Sequence, residues 1–206
     1  MRPDLLAATA LILGGSACLV PPQASEQSLH GPVDSWHQFQ PDLPVSQPPF
    51  RSIHANWKQR IDQPYVYVEF QGSYTETGRL LPQVHRAMVD QGLEPAGPPF
   101  ALFYDDPGTT PVEQLRSRAC VPVEDVADPQ GELDFDVLPS TTVVYAFVAG
   151  AYPDVPRSYP GIYAYLGAQG WVENGPIRET YLVAPESVES FDALLTEVQV
   201  PVTYGN

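Results

Sequence analysis

Residues 65–74 read "YVYVEFQGSY" and residues 143–152 read "VVYAFVAGAY". Each is a run of β-branched and aromatic residues ending on Gly-x-Tyr, which predicts a strand entering a tight turn. The two lie 78 positions apart, and the same shift aligns the chain beyond them. Arg79 falls on Arg157, Pro82 on Pro160, Gly92 on Gly170, Gly97-Pro98 on Gly175-Pro176 and Pro107 on Pro185. After one extra residue, "CVPV" (residues 120–123) falls on "QVPV" (residues 199–202). Most of these coincidences are Gly, Pro or Tyr, where backbone geometry restricts the residue, so they report a repeated fold.

The content of each repeat follows from local patterns. Pro82 and Pro160 stand where a helix would begin, a position that tolerates the missing N–H. Leu81, Val84, His85 and Met88 recur at helical spacing, as do Tyr159, Ile162, Tyr163 and Leu166. Gly92 and Gly170 are placed to close these helices. Two strands then follow, "FALFY" with "RSRACV" in the first copy and "RETYLV" with "TEVQV" in the second. The expectation is an α+β fold of duplicated βαββ units, at about residues 64–123 and 142–202. Such units pair their antiparallel sheets about a pseudo-twofold axis, with two helices on one face and a cleft between the repeats.

Net charge is −15, and Lys58 is the single lysine. That balance argues against a nucleic-acid partner, whose phosphates require clustered Lys and Arg. It would attract cationic small molecules over neutral or anionic ones, with simple solubility as the alternative reading of the same charge. No Gly-x-Ser-x-Gly elbow, phosphate-binding Gly-Lys-Ser/Thr loop or Cys-x-x-Cys pair is present. His30, His37 and His54 fall at no metal-ligand spacing and His85 stands alone, so neither metal nor cofactor is expected.

At the N-terminus, Arg2 precedes the apolar run "LLAATALILGGSACLV" (residues 5–20), too short to span a bilayer. Residues 1–17 read as a signal peptide. "GSAC" resembles a bacterial lipobox, which would make Cys18 a lipidated N-terminus and the only membrane attachment; plain cleavage is the alternative. The expected location is then periplasmic or on the cell surface. With Cys18 lipidated, Cys120 has no partner and reads as a small buried hydrophobe. Residues 18–61 are rich in Pro, Gln, Ser and His and read as a tether before a domain at residues 62–206. Within them "SIHANWKQRID" (residues 52–62) suits a short helix or an edge that packs Trp57 on the domain.

The repeat exposes one residue. "GPIRETYLVAP" (residues 175–185) places Glu179 where "GPPFALFYDDP" (residues 97–107) has Ala101. In a strand, Ile177, Glu179, Tyr181 and Val183 share one face. A carboxylate among apolar neighbours is costly to bury unless paired or hydrogen-bonded. An exposed edge-strand Glu, or one paired with an Arg, is the bland alternative, but the first copy shows that the fold does not need it. Tyr181 and Tyr145 on strands and Tyr163 on the second helix are the aromatic candidates beside it. Glu69 is the second candidate carboxylate, and Arg118 and Glu197, which coincide under a shift of 79, are candidates for a cross-repeat ion pair.

Taken together, "YVYVEFQGSY", "GPIRETYL", "TEVQVPV" and the doubled βαββ order resemble the GyrI-like effector-binding family, over about residues 62–204. The resemblance implies an amphipathic, often cationic, small molecule bound between the repeats, with the Glu179 and Tyr181 positions facing it. It also implies an alternative, because some members hydrolyse strained cyclopropane-bearing electrophiles. A third possibility is a protein-interaction module whose cleft is closed by packed aromatics. No helix-turn-helix pattern precedes the domain in this sequence, so a transcriptional role is not expected.

Overall fold

The computed structural model describes residues 40–205. The stretch read from the sequence as a signal peptide, residues 1–17, and the proposed lipidation site Cys18 lie outside them. In chain order the elements are β1 (Ala55–Arg60), β2 (Gln63–Gln71), α1 (Thr77–Asp90), β3 (Phe100–Phe103), β4 (Arg116–Pro122) and β5 (Asp134–Leu138). The second half carries β6 (Thr141–Ala149), α2 (Tyr159–Ala168), β7 (Trp171–Glu173), β8 (Ile177–Tyr181) and β9 (Leu195–Tyr204). The doubled βαββ is therefore present as β2-α1-β3-β4 and β6-α2-β8-β9.

The strands form one antiparallel sheet in the order β1-β6-β9-β8-β3-β4-β2-β5, with β7 added on β9. This order is a palindrome about β8 and β3, the pseudo-twofold expected of the repeat. β1 and β5 are themselves equivalent under the shift of 78, and each crosses to the other copy. β1 precedes β2 in the chain but pairs with β6, whereas β5 precedes β6 but pairs with β2. The two edges approach each other, since Arg60 Nη2 donates to the carbonyl of Pro139 at 3.0 Å and Ser140 N donates to the Asp62 carboxylate. The sheet thus curls into a half-barrel.

Strand parity sorts the core. Val66, Ala119 and Val121 face α1, against Leu80, Val84 and Met88. Val144, Ala146, Val148, Val198 and Val200 face Ile162 and Leu166 of α2. Both helices accordingly lie on one face. The opposite, inner face holds Tyr65, Phe100, Leu102 and Cys120, with Tyr145, Phe147 and Leu182 nearer β1. Arg178 is buried there, with its guanidinium 4.0 Å from the Phe100 ring centroid, and burial lowers its pKa to about 10. Met88 is fully buried, and its truncation to Ala would cost about 2–5 kcal/mol.

Three expectations are corrected. The stretch read as a tether up to residue 61 is part of the domain from residue 40 onward. Leu43 and Val45 pack on Tyr145 and Phe147, Ser46 exchanges main-chain hydrogen bonds with Phe147 and Ala149, and β1 extends the sheet. Composition missed this because main-chain pairing along the open edge of β6 holds the segment. Secondly, Pro160 does begin α2, but Pro82 lies inside α1, whose first turn is reached earlier through a 3-10 turn at Tyr74–Glu76 capped by Ser73. Thirdly, Arg118 and Glu197 do not pair with each other. Arg118 pairs with Glu69 and Asp136, at 2.9 and 2.8 Å, and Glu197 pairs with Lys58. Because Lys58 and Asp136 are equivalent under the shift of 78, Lys58–Glu197 and Asp136–Arg118 are the same cross-copy contact with its polarity reversed.

Candidate ligand-binding site

β3 and β8 meet at the pseudo-twofold axis, with Ala101 opposite Glu179 and Phe103 opposite Ile177. On the helix face this pair forms the floor of a cleft bounded by α1, α2 and the turns that precede them. The larger chamber, of about 840 Å³, includes Tyr74, Tyr152, Tyr159, Tyr163, Glu179 and Tyr181. A second chamber of about 450 Å³ lies beside α1. Both are within the range usual for small-molecule sites.

The aromatic sides of the cleft are built twice. Tyr74 packs on Phe103 with ring centroids 4.7 Å apart, and its equivalent Tyr152 packs on Tyr181 at 4.6 Å. Tyr74 Oη donates to the carbonyl of Asp105 at 2.7 Å, and Tyr152 Oη to the equivalent carbonyl of Val183 at 2.8 Å. These contacts explain why Gly-x-Tyr recurs in both copies: each tyrosine ties the exit of the unit's first strand to the loop that follows its second strand, β3 or β8.

The polar centre is built once. Glu179 is 3 % exposed and accepts hydrogen bonds from Tyr159 Oη at 2.6 Å and Tyr181 Oη at 3.2 Å. The equivalent positions in the first copy are Leu81, Ala101 and Phe103, none with a polar side-chain atom. Acceptor and both donors are thus gained together. Burial raises the pKa of Glu179 to about 7, against the opposing pull of the two phenol hydrogen bonds. Glu179 makes no ion pair with any described residue. Glu173, Asp105 and Asp106 also line the larger chamber, and among the described residues that line it there is no Lys, Arg or His. Asp105 is ion-paired with Arg116 at 2.9 Å, while Glu173 accepts a hydrogen bond from Tyr163 Oη. The cavity is therefore aromatic and acidic, with a carboxyl poised near neutrality at its floor.

Of the residues selected from the sequence, Glu179, Tyr181 and Tyr163 come together in this chamber. Tyr145 and Glu69 do not. Both project from the inner face, where Tyr145 Oη donates to Asp42 at 2.9 Å and Glu69 pairs with Arg118. The reason is parity: in the first strand of each copy, odd-numbered residues point away from the helices. Glu179 is neither on an edge strand nor paired with Arg178, which points to the inner face. Tyr159, Tyr152, Tyr74 and Glu173 were passed over. For Tyr159 a signal was available, since its equivalent Leu81 makes the same apolar-to-polar change as Ala101 and Glu179.

Residues 58–203 match the GyrI-like small molecule binding domain, and the chain belongs to that family. No curated protein sequence matches it. Among solved structures, the C-terminal domain of EcmrR is 20% identical with a TM-score of 0.67, covering 74% of this chain and 99% of that one. The chain spans 57% of EcmrR as seen in a DNA complex, at 20% identity, a TM-score of 0.66 and 73% coverage of this chain. A hydrolase of Listeria innocua is 9% identical with a TM-score of 0.56, covering 78% of this chain and 93% of that one. SAV2435 bound to tetraphenylphosphonium is 15% identical with a TM-score of 0.52, covering 72% and 93%. At these identities the likeness establishes the fold.

Proposed function

We propose that the protein binds an amphipathic small cation in the larger chamber, with Glu179 as its charge partner. The observation that carries this reading is a buried carboxylate with no counter-ion among the described residues, held by two phenols that are absent from the other copy. Burying such a group costs stability unless something pairs with it, and a bound cation would supply the pair. The surrounding tyrosines add cation–π attraction, about 0.5–2 kcal/mol per good ring contact. That SAV2435 has been seen with tetraphenylphosphonium supports the choice of ligand class. The test is calorimetric titration of wild type and Glu179→Gln with tetraphenylphosphonium, neutral triphenylphosphine oxide and anionic tetraphenylborate. The expected result is saturable binding of the cation alone, weakened about tenfold or more by Gln. Equal binding of the neutral compound would overturn the reading.

A second reading has one observation in its favour. A carboxyl with a pKa of about 7 is well matched to proton transfer near neutral pH. In that reading Glu179 activates water against a strained electrophile, and chromatography of mixtures with cyclopropane-bearing substrates must show ring-opened product. The interaction reading requires a closed cleft, whereas this one is open. We also propose export with a lipid anchor at Cys18, resting on residues 5–20; labelled palmitate should be incorporated and lost in Cys18→Ala, and labelling unchanged by that substitution would refute it.

A further inference from the structure

The smaller chamber is the pseudo-twofold mate of the larger. Leu81, Pro82 and His85 of α1 line it where Tyr159, Pro160 and Tyr163 of α2 line the other, and Pro185 replaces Pro107. Its chemistry is different. Leu81, Pro82, Pro99, Ala184 and Pro185 make it mainly apolar, while its charged members Arg86 and Glu186 are exposed to solvent. The two chambers are contiguous, because Gly78, Tyr152 and Tyr181 line both.

Gly78 is informative. It sits in the first turn of α1, has no left-handed backbone angle, and a Cβ built on it would meet nothing within 4 Å. Neither backbone conformation nor close packing requires glycine, and helix propensity disfavours it. Gly78 is solvent-exposed and lines both chambers together with Tyr152 and Tyr181, so its missing side chain leaves open space at their shared rim.

We infer that one elongated ligand occupies both chambers, its cationic head beside Glu179 and an apolar tail running past Gly78 into the chamber beside Leu81. This rests on the reading of Glu179 given above. It narrows the ligand class to long-tailed amphipathic cations, because a compact ion would leave the apolar chamber wet. Two separate ligands would have to share the tyrosine pair that both chambers use.

The experiment is titration of the full chain with alkyltrimethylammonium ions from tetramethyl to decyl, each below its micelle concentration. For the wild type, Kd should tighten about fourfold per added methylene through the middle of the series. Gly78→Leu, whose Cβ meets nothing within 4 Å and whose side chain adds bulk at the shared rim, should flatten that dependence, and Leu81→Trp, which adds bulk to the smaller chamber itself, should do the same. If the short ions bind and Kd is independent of tail length, this inference falls while the reading of Glu179 stands. Retention of the full length dependence in both variants would also overturn it. If no member of the series binds, both fall together.

Discussion

At Glu179, two phenol donors replace the water that a carboxylate would otherwise keep, and they do not fully compensate for its loss. The proton is consequently held more tightly in the folded state, at about pH 7, than at the ordinary value of 4.5. Between those pH values the folded protein carries a proton that the unfolded chain has released. The contribution of this group is thus most favourable below about pH 4.5 and is lost as pH rises through 7, by roughly 3 kcal/mol. Urea denaturation of wild type and Glu179→Gln across pH 5 to 8 should show the wild type losing stability relative to the variant as pH rises. Parallel pH profiles would mean that the carboxyl titrates normally. The residue was legible because the repeat supplied an internal control in Ala101. Tyr145 was misjudged because the sequence alone did not settle which parity faces the helices.

Among the elements, α2 is fixed in place by the segment that precedes β1. A Cβ at Gly161 would lie 2.3 Å from Ile53 Cγ1 and 2.7 Å from its branched Cβ, atoms that cannot swing aside. At Gly167, in the same helix, a Cβ would meet nothing within 4 Å. Gly161→Ala should therefore destabilise by about 1–3 kcal/mol, whereas Gly167→Ala should stabilise by up to about 1 kcal/mol. Denaturant midpoints of the two variants measure both, and equal effects would mean that Ile53 does not pack there. The strands of the βαββ core were readable from their β-branched and aromatic runs. "DFDVL" in β5 was not recognised as a strand and "ANWKQR" in β1 was left between a short helix and an edge, because both are polar edge strands held largely through main-chain hydrogen bonds. Likewise the stripe Leu81, Val84, His85 and Met88 combined two roles: Val84 and Met88 face the core, while Leu81 and His85 line the cleft.

Across the whole molecule, duplication supplies a symmetric scaffold and a few substitutions make one side of its cleft polar. The exchange of β1 and β5 between copies makes each copy complete only with the other's edge strand. A fragment beginning at residue 62 would lack β1 and expose the edge of β6, inviting intermolecular pairing. It should melt about 5–10 °C below a fragment beginning at residue 40 and aggregate on heating. Equal melting temperatures would return residues 40–61 to the role of a tether. The fold was largely legible because a repeat can be detected without knowing either copy's structure. The exchange was not, since nothing local records which copy an edge strand joins.

In the proposed function Glu179, as a carboxylate, is the charge partner of a bound cation. The most direct measurement is the Kd of tetraphenylphosphonium from pH 5.5 to 8.5, for wild type and Glu179→Gln. Affinity should rise up to about tenfold per pH unit below 7 and level above it, with Gln weak and independent of pH. A flat wild-type profile, or a Gln variant that binds as the wild type does, would contradict it.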